Sequence, residues 1–343
     1  MSGRAGIKDV AALAGVSIKT VSRVVNAAET VSPERRARVE AAIAQLGYVP
    51  NSAARSLKSG AGQWIGVLVD SIDDVYFASL VSEVEECALE RGLSVIVAST
   101  GFDTARESDQ LLRMAGRNVR GLILAPVGDD QTFLVEQGTA LPVVTVDRSV
   151  EEFDSVTTDD YAAAVSGVEC LLRSGHRRLA FVGLDDRLQT SRRRHRGYLD
   201  ALAAAGVPAD PALSPQVPHR AEAVRPVVDS LLALDDPPTA LFVSNARHAT
   251  AVVALLHAID RKDLAMVSFG NFDLADAVTP AVTCIDQHPR SIGRRAFERL
   301  TAHFVDADLP VLHQVVESTL VQRDSDSIPA APGTVSIRGR STR

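Results

Sequence analysis

Two short amphipathic segments joined through a glycine near the N-terminus constrain the fold of this chain more than any other feature. Val10, Leu13 and Ala14 recur at helical spacing, so they are expected to share one face of a helix that Gly15 ends. Ser17 can cap a second helix through its hydroxyl group. A glycine-containing turn between two such helices is typical of a helix-turn-helix unit.

The second helix is predicted to run from Ile18 to Asn26. Its inward residues are Val21, Val24 and Val25. Its outer face carries Lys19, Thr20, Ser22 and Arg23. A helix with one apolar face and one short polar and basic face is typical of the recognition helix that enters the major groove of DNA.

A third helix is predicted after this pair. Ser32 is a suitable N-cap, Pro33 suits the first helical position, and Gly47 ends the helix. Its apolar stripe consists of Val39, Ala42, Ile43 and Leu46. A further short helical run, 52–58, precedes a glycine-rich linker.

Charge is divided unevenly along the 343 residues. The net charge is −7, but residues 1–60 hold nine basic and four acidic side chains, which gives +5 there and −12 in the remainder. A basic end on an acidic body directs the basic end toward phosphates. The length also exceeds one ordinary core, so we expect two or more domains.

Beyond residue 62 the pattern changes to short apolar runs separated by amphipathic stretches. The predicted strands are 64–69, 93–99, 121–126, 142–147, 178–183, 239–244 and 265–269. The predicted helices are 80–91, 106–117, 162–174, 196–205, 250–259 and 292–304. This alternation predicts parallel sheets covered on both faces, and its restart near residue 162 predicts two α/β halves with a cleft at the carboxyl ends of their strands.

Three scattered cysteines give neither a disulfide framework nor a metal site. The N-terminal residues have no apolar signal core, and no apolar run reaches the ~18 residues of a membrane span. We therefore expect a cytoplasmic, nucleoid-associated protein without metal or cofactor. Because the sequence lacks H-E-x-x-H, G-x-S-x-G and P-loop patterns, we expect no enzyme and no catalytic residue.

The stretches DVAALAGVSIKTVSRVVN, VSPERRARVEAAIAQLGYVPN and AARSL together resemble the headpiece of the lactose-repressor (LacI/GalR) family of bacterial transcription regulators. The resemblance implies an all-α helix-turn-helix headpiece plus an α/β core, whose two doubly wound subdomains resemble periplasmic sugar-binding proteins. It implies the following boundaries: a headpiece at 1–49, a hinge helix and linker at 50–62, and a core at 63–324. The core would divide into approximately 63–161 with 291–320, and 162–290. Residues 325–343, rich in Ser, Pro and Gly, are predicted to be a disordered tail.

The family resemblance implies DNA contacts on the second helix. Arg23 matches a position that reads base edges, and arginine pairs well with guanine. Lys19 and Ile18 lie where the family varies its specificity. Ser17, Thr20, Ser22 and Asn26 are expected to contact phosphates or fix the register. Two headpieces on a homodimer imply a pseudo-palindromic operator.

A hinge helix is implied by Asn51, Ala54 and Leu57. In the family, two such helices pair in the minor groove, where leucine side chains wedge into the central base step. Leu57 is the expected wedge, and the small Ala54 permits close approach.

The resemblance also implies a cleft for a small sugar-like effector. The implied lining residues are Tyr76, Phe77, Asp147, Arg148, Asp159, Arg194, Asn245 and Asn271. Sugar-binding relatives usually carry Gly-Phe-Asp-Asp after the late strand, and the first Asp holds sugar hydroxyls. This chain has Ser268-Phe269-Gly270-Asn271 there and lacks that carboxylate. With Arg148, Arg192, Arg193, Arg194 and Arg247 retained, the region is expected to be basic and to favour an anionic effector. The alternative function is a solute-binding protein of a transport system.

Overall fold

A computed structural model of the chain describes residues 5–25, 30–48, 63–117, 119–128, 141–184 and 186–330. The chain divides into two compact units, Met1–Gly62 and Gln63–Arg343. No helix among the residues in these ranges is long and apolar enough to cross a membrane.

The described residues of the first unit form three helices. They are α1 (Ile7–Ala14), α2 (Ile18–Val25) and α3 (Pro33–Leu46). Gly15 and Gly47 end α1 and α3 with φ values of 61° and 56°, the left-handed conformation that glycine adopts at low cost. Pro33 occupies the first turn of α3, but Ser32 makes no side-chain cap hydrogen bond there, unlike the expectation from sequence.

Buried valines from all three helices form the core of this unit. Val10, Val21 and Val39 are fully buried, as their spacing predicted. The prediction for Leu13 is wrong, because its side chain is 47% exposed and Ala11 is buried instead. At about 100° per residue, the buried arc of α1 runs from Val10 through Ala14 to Ala11, and Leu13 lies outside it.

The second unit begins with a six-stranded sheet, which with its helices we call the first lobe. Its strands are β1 (Trp64–Val69), β2 (Ser94–Ser99), β3 (Gly121–Leu124), β4 (Val143–Val146), β5 (Asp154–Thr158) and β10 (His313–Val316). Their order is β10-β5-β4-β3-β1-β2, with all pairs parallel. The helices between its early strands are α4 (Val75–Glu90) and α5 (Thr104–Ala115).

A second sheet of five strands forms the second lobe. Its strands are β6 (Leu179–Val182), β7 (Ala240–Val243), β8 (Ala265–Phe269), β9 (Thr283–Asp286) and β11 (Thr319–Val321). The order is β11-β9-β8-β7-β6, and only the β11–β9 pair is antiparallel. Its helices are α6 (Asp160–Arg173), α7 (Gln189–Ala204), α8 (Val224–Leu232) and α9 (Ala246–Ala258).

The chain passes between the two lobes three times. It leaves the first lobe between β5 and α6, and it returns between β9 and α10 (Pro289–Ala302). Ile292 and Phe297 of α10 are buried in the same apolar cluster as Ile65 of β1. The third passage lies between β10 and β11, so the last strand belongs to the second lobe.

The expected disordered tail does not begin at residue 325. The side chains of Ser325 and Asp326 are buried, and the carbonyl of Ile328 lies 2.8 Å from Nε2 of the buried His176. The Ser325 hydroxyl accepts a hydrogen bond from the backbone N–H of Thr283 and donates one to the carbonyl of Met266. Residues 325–330 therefore belong to the second lobe, and residues 331–343 lie outside the described ranges.

Candidate functional site

Helix α2 presents a polar and basic face to solvent. Ser17, Lys19 and Arg23 are exposed, and Ile18 is 45% exposed, whereas Val21 and Val24 are buried against the other two helices. The Ser17 hydroxyl accepts a hydrogen bond of 3.1 Å from the Thr20 N–H, which caps the helix as predicted. Thr20 and Ser22 are partly buried on the same helix.

Four of the predicted DNA-binding residues lie outside the described ranges. They are Asn26, Asn51, Ala54 and Leu57. The described part of the candidate DNA-binding surface is thus the first two turns of α2 with its cap.

A cavity of about 60 Å³ lies between the two lobes, next to the carboxyl ends of their strands. The first lobe contributes Asp70 directly after β1 and Asp147 with Arg148 directly after β4. The second lobe contributes Arg194 from α7 and Arg247 from the first turn of α9. This is where parallel α/β sheets place ligand sites.

Arg148 is held by two carboxylates of its own lobe. Its Nη2 lies 2.6 Å from Oδ2 of Asp70, and its Nη1 lies 2.8 Å from Oδ2 of Asp147. Its Nε donates to the carbonyl of Pro126. Asp147 reaches this position with a φ of 66°, a left-handed conformation that aspartate tolerates better than most residues.

Arg194 is held in the same way by the second lobe. Its Nε and Nη2 each lie 2.7 Å from Oδ1 of Asp160, and its Nη1 donates to the carbonyl of Ser244 at 2.7 Å. The guanidinium also stacks over the ring of Phe269, with Cζ 3.9 Å from the centroid. Both ends of the guanidinium are therefore fixed without a ligand.

Close contact between α6 and α7 brings Arg194 and Asp160 together. A Cβ at Gly197 would lie 2.6 Å from the carbonyl oxygen of Tyr161, so only glycine allows this approach. Asp160 is the first residue of α6 and is buried, whereas Asp159 is exposed and accepts a hydrogen bond of 3.0 Å from the Ala162 N–H. The expectation that Asp159 lines the cleft is therefore wrong: Asp159 caps the helix, and Asp160 reaches the site.

Burial controls the ionisation of the two central carboxyl groups. It raises the pKa of Asp70 from 3.8 to about 7, although Arg148 opposes the rise. It raises the pKa of Asp160 to about 6 against the opposing charge of Arg194. Burial also raises the pKa of the Tyr76 hydroxyl well above 10, so this group stays neutral and can donate.

Several contacts between described residues join the lobes around the cavity. Arg247 of the second lobe pairs with Asp73 of the first, and its Nε lies 3.9 Å from Oδ2 of Asp74. The side-chain amide of Gln189 exchanges two hydrogen bonds of 3.1 Å with the backbone of Ser149. The rings of Phe102 and His219 also meet across the cleft, with centroids 4.4 Å apart. The cleft is therefore closed around a volume smaller than the ~300–1,000 Å³ of usual ligand pockets.

Asn245 is engaged by its own helix. Its Oδ1 accepts a hydrogen bond of 2.8 Å from the His248 N–H, and its Nδ2 lies 3.0 Å from Nδ1 of His248. Burial lowers the pKa of His248 to about 4, so the ring is neutral and its Nδ1 can accept from the amide. Asn245 thereby caps α9 and lines the cavity at once.

The remaining predicted effector residues divide between two cavities. Phe77 and Tyr76 line the small cavity. Asn271 instead lines a separate open groove of about 610 Å³, which Tyr76 and Gln287 also border. The buried charges and the strand ends meet at the small cavity, which is therefore the candidate effector site.

The expectation of a basic cleft is wrong. Arg148, Arg194 and Arg247 each pair with aspartates of the chain itself, and Arg192 donates to the carbonyls of Asp186 and Arg187. The number of arginines did not predict the aspartates that neutralise them, which are Asp70, Asp73, Asp74 and Asp160. The position of Asp70 at the end of an apolar strand was the available signal.

A chain with a helical unit that exposes a polar and basic helix, and with a separate two-lobed core that contains a charged cleft, has the architecture of a DNA-binding regulator with a ligand-sensing core. The model described as "Bacterial regulatory proteins, lacI family" matches residues 6–51, and "Periplasmic binding protein-like domain" matches residues 168–325. Catabolite control protein A of Priestia megaterium is 31% identical over 326 residues, which cover 92% of this chain and 95% of that protein. The ribose operon repressor of Haemophilus influenzae is 29% identical and covers 94% and 98%.

A solved structure gives the same result for the fold. The lac repressor dimer bound to operator and the anti-inducer ONPF matches with a TM-score of 0.81 and 26% identity, covering 94% of this chain and 99% of that one. The chain belongs to the LacI family of bacterial transcription regulators, which are DNA-binding proteins and not enzymes. The predicted fold class, a helical headpiece with a periplasmic-binding-protein-like core, is confirmed.

Proposed function

We propose that this protein represses transcription as a homodimer that binds a pseudo-palindromic operator, each α2 reading one half-site in the major groove. A small sugar-like effector bound between the lobes controls operator affinity. The protein acts in the cytoplasm, on nucleoid DNA. The exposed face of α2, with Lys19 and Arg23 in front of a buried valine back, is the observation that carries this proposal.

In this proposal the contacts on α2 have different tasks. Arg23 reads a guanine, Lys19 and Ile18 set specificity, and Ser17, Thr20 and Ser22 hold phosphates or fix the register. Asn26 is assigned to the same group. Asn51, Ala54 and Leu57 are assigned to a hinge helix in the minor groove, where Leu57 is the wedge.

Effector binding and cleft opening are linked in this proposal. A cavity of about 60 Å³ is too small for a sugar, so the effector must separate the lobes and break the contacts across the cleft. Operator affinity changes only if the effector binds the two arrangements with different affinity, and the effect on DNA is then reciprocal.

Arg23→Ala tests the DNA-reading role. Loss of a bidentate guanine contact should cost about 1–3 kcal/mol for the selected operator and relax specificity at one base pair in each half-site. The measurement is a fluorescence-anisotropy titration against an operator obtained by selection from random duplexes, and against every single-base variant of it.

Arg35→Ala is the matched control, because Arg35 is exposed on α3 and its loss removes the same charge from the same unit. The control should weaken binding to all duplexes alike, with a smaller salt slope. An Arg23 variant that behaves like this control would refute base reading. Failure of the unaltered protein to bind duplex DNA in a salt-dependent way would refute the regulator proposal and favour a solute-binding protein.

A further inference from the structure

The cleft carries more carboxylates than guanidinium groups. Its lining residues include three aspartates and three arginines, and Asp73 and Asp160 add two carboxyl groups as ion-pair partners. The cluster therefore has a net charge of −2 once every carboxyl group has ionised, including Asp70 with its pKa of about 7. The aspartates are Asp70, Asp73, Asp74, Asp147 and Asp160, and the arginines are Arg148, Arg194 and Arg247. Glu107 acts on Arg148 and Arg193 acts on Asp160, which adds one charge of each sign.

Two of these carboxylates keep an acceptor oxygen that nothing in the described residues satisfies. Oδ1 of Asp70 and Oδ2 of Asp160 have no hydrogen-bond partner there, although each residue is only 1% exposed. The Tyr76 hydroxyl is likewise buried and unpartnered among the described residues. A buried acceptor without a donor destabilises the folded chain, so a ligand that donates hydrogen bonds to it would recover this energy.

These groups act as one electrostatic unit. The charge of Asp147 raises the pKa of both Asp70 and Asp160, and Asp147 and Asp160 both raise that of Tyr76. A positive group placed among them therefore interacts with several carboxylates in a medium where charges are weakly screened.

The sign of the cluster selects between ligand classes. An anionic ligand would have to displace Asp70, Asp147 or Asp160 from the arginines that hold them, and it would meet the surplus negative charge. A neutral polyol would satisfy the unpaired acceptors but leave the surplus charge unchanged. A protonated amine both donates hydrogen bonds and offsets the charge.

A metal ion does not fit as well. The described residues contain no group of three or more His, Cys, Asp or Glu side chains placed to hold one. The aspartates are instead spread over two lobes, and each points one oxygen at an arginine. This arrangement suits an organic cation with separated donors.

We propose that the effector of this cleft carries a protonated amine beside its hydroxyl groups, so that Asp70 and Asp160 recognise an amino sugar or a similar polyhydroxylated amine. This inference rests on the proposed role of the cleft as the effector site. It replaces the anionic effector that the arginine content of the sequence suggested.

The test compares probes that share a skeleton and differ in charge. The first trio is D-glucosamine, D-glucose and D-glucuronate, and the second is the galactose equivalents. Spermidine is added as an amine without hydroxyl groups. Thermal unfolding of the full chain is followed with each probe up to about 10 mM, and every probe that raises the midpoint is titrated by calorimetry.

The expected result is stabilisation by an amino sugar, with a dissociation constant at least about tenfold lower than that of its neutral partner and no binding of the acid. Asp70→Asn and Asp160→Asn should each weaken amine binding by about tenfold or more. Asp109→Asn is the control, because Asp109 pairs with Arg113 on the exposed surface of α5, and it should change nothing. Circular dichroism of each variant checks that it is folded.

Three results would overturn the proposal. They are equal or tighter binding of the neutral or acidic partner, unchanged amine affinity in both folded cleft variants, and no stabilisation by any amine in the panel. Operator titration of the same preparation tests the regulator role separately from the ligand class. If the unliganded protein binds its operator, the regulator role stands and only the ligand class is refuted.

Discussion

At the scale of single residues, the cleft depends on buried carboxyl groups whose ionisation is costly. Asp70 is paired with Arg148 at 2.6 Å, and yet burial raises its pKa to about 7. Between pH 3.8 and about 7, the folded chain therefore holds a proton that the unfolded chain has released. Stability contributed by this group consequently falls as pH rises through that range.

Asp70→Asn should remove this pH dependence. From about pH 4 to about pH 8, the free energy of unfolding of the unaltered protein should fall by about 2–4 kcal/mol relative to the variant, because the amide cannot ionise. Urea unfolding at several pH values measures the difference between the two curves, in which other titrating groups cancel. Asp109→Asn, on the exposed surface, should give a curve parallel to that of the unaltered protein. A parallel curve for Asp70→Asn would contradict the assignment.

The sequence predicted part of this site and not the rest, for physical reasons. Asp147, Arg148, Arg194 and Asn245 were identified by position in a family pattern. The ion pair between Arg148 and Asp70 was not predicted, because the two residues are 78 positions apart and no sequence motif connects them. The family pattern predicts Asp159 at the position where the structure has Asp160, because a shift of one residue at a helix start rotates the side chain by about 100°, which a pattern does not resolve.

At the scale of elements, residues 325–330 show how polar sequence can be structural. Asp326 lies between Thr283 of β9 and Cys170 of α6, whose thiol lies 3.0 Å from its Oδ2. The composition of this stretch favours disorder, whereas its contacts with Cys170, Met266 and Thr283 are with residues far away in sequence. Strands β5, β9, β10 and β11 were missed for a related reason: their polar residues interrupt the apolar pattern that predicted the other strands.

Asp326→Ala should destabilise the second lobe. Removal of the carboxylate leaves the hydroxyl of Thr283 and the thiol of Cys170 without their acceptor in a buried place, at a cost of about 2–4 kcal/mol. Chemical unfolding followed by circular dichroism measures the loss. Asp324→Ala is the matched control, since Asp324 is exposed two residues earlier, and it should cost less than about 1 kcal/mol. Equal effects of the two variants would show that Asp326 is not specially placed.

At the scale of the whole second unit, the closed cleft is held by a few polar contacts. Asp73 has a side chain that is 71% exposed, so its pair with Arg247 contributes little to overall stability. The same pair nevertheless joins the start of α4 in the first lobe to the start of α9 in the second. It is therefore suited to affect the opening of the cleft more than the unfolding of the chain.

Arg247→Ala should increase opening without unfolding. Hydrogen–deuterium exchange should become faster around residues 70–77 and 245–250, while the unfolding midpoint changes by less than about 2 °C. Arg261→Ala is the control, because Arg261 forms its ion pair with Asp263 of the same lobe, with Nε 2.8 Å from Oδ1. Identical exchange in both variants would mean that the Arg247 pair does not restrain the cleft.

The three passages of the chain between the lobes limit how that opening can occur. Two lobes joined by one segment can reorient freely. With three connecting segments, translation of one lobe past the other would strain all three segments. Hinge rotation about the three connecting segments is then the least costly movement. A ligand that widens the cleft therefore changes mainly the angle between the two lobes. Its binding energy favours this one movement and does not loosen the whole unit.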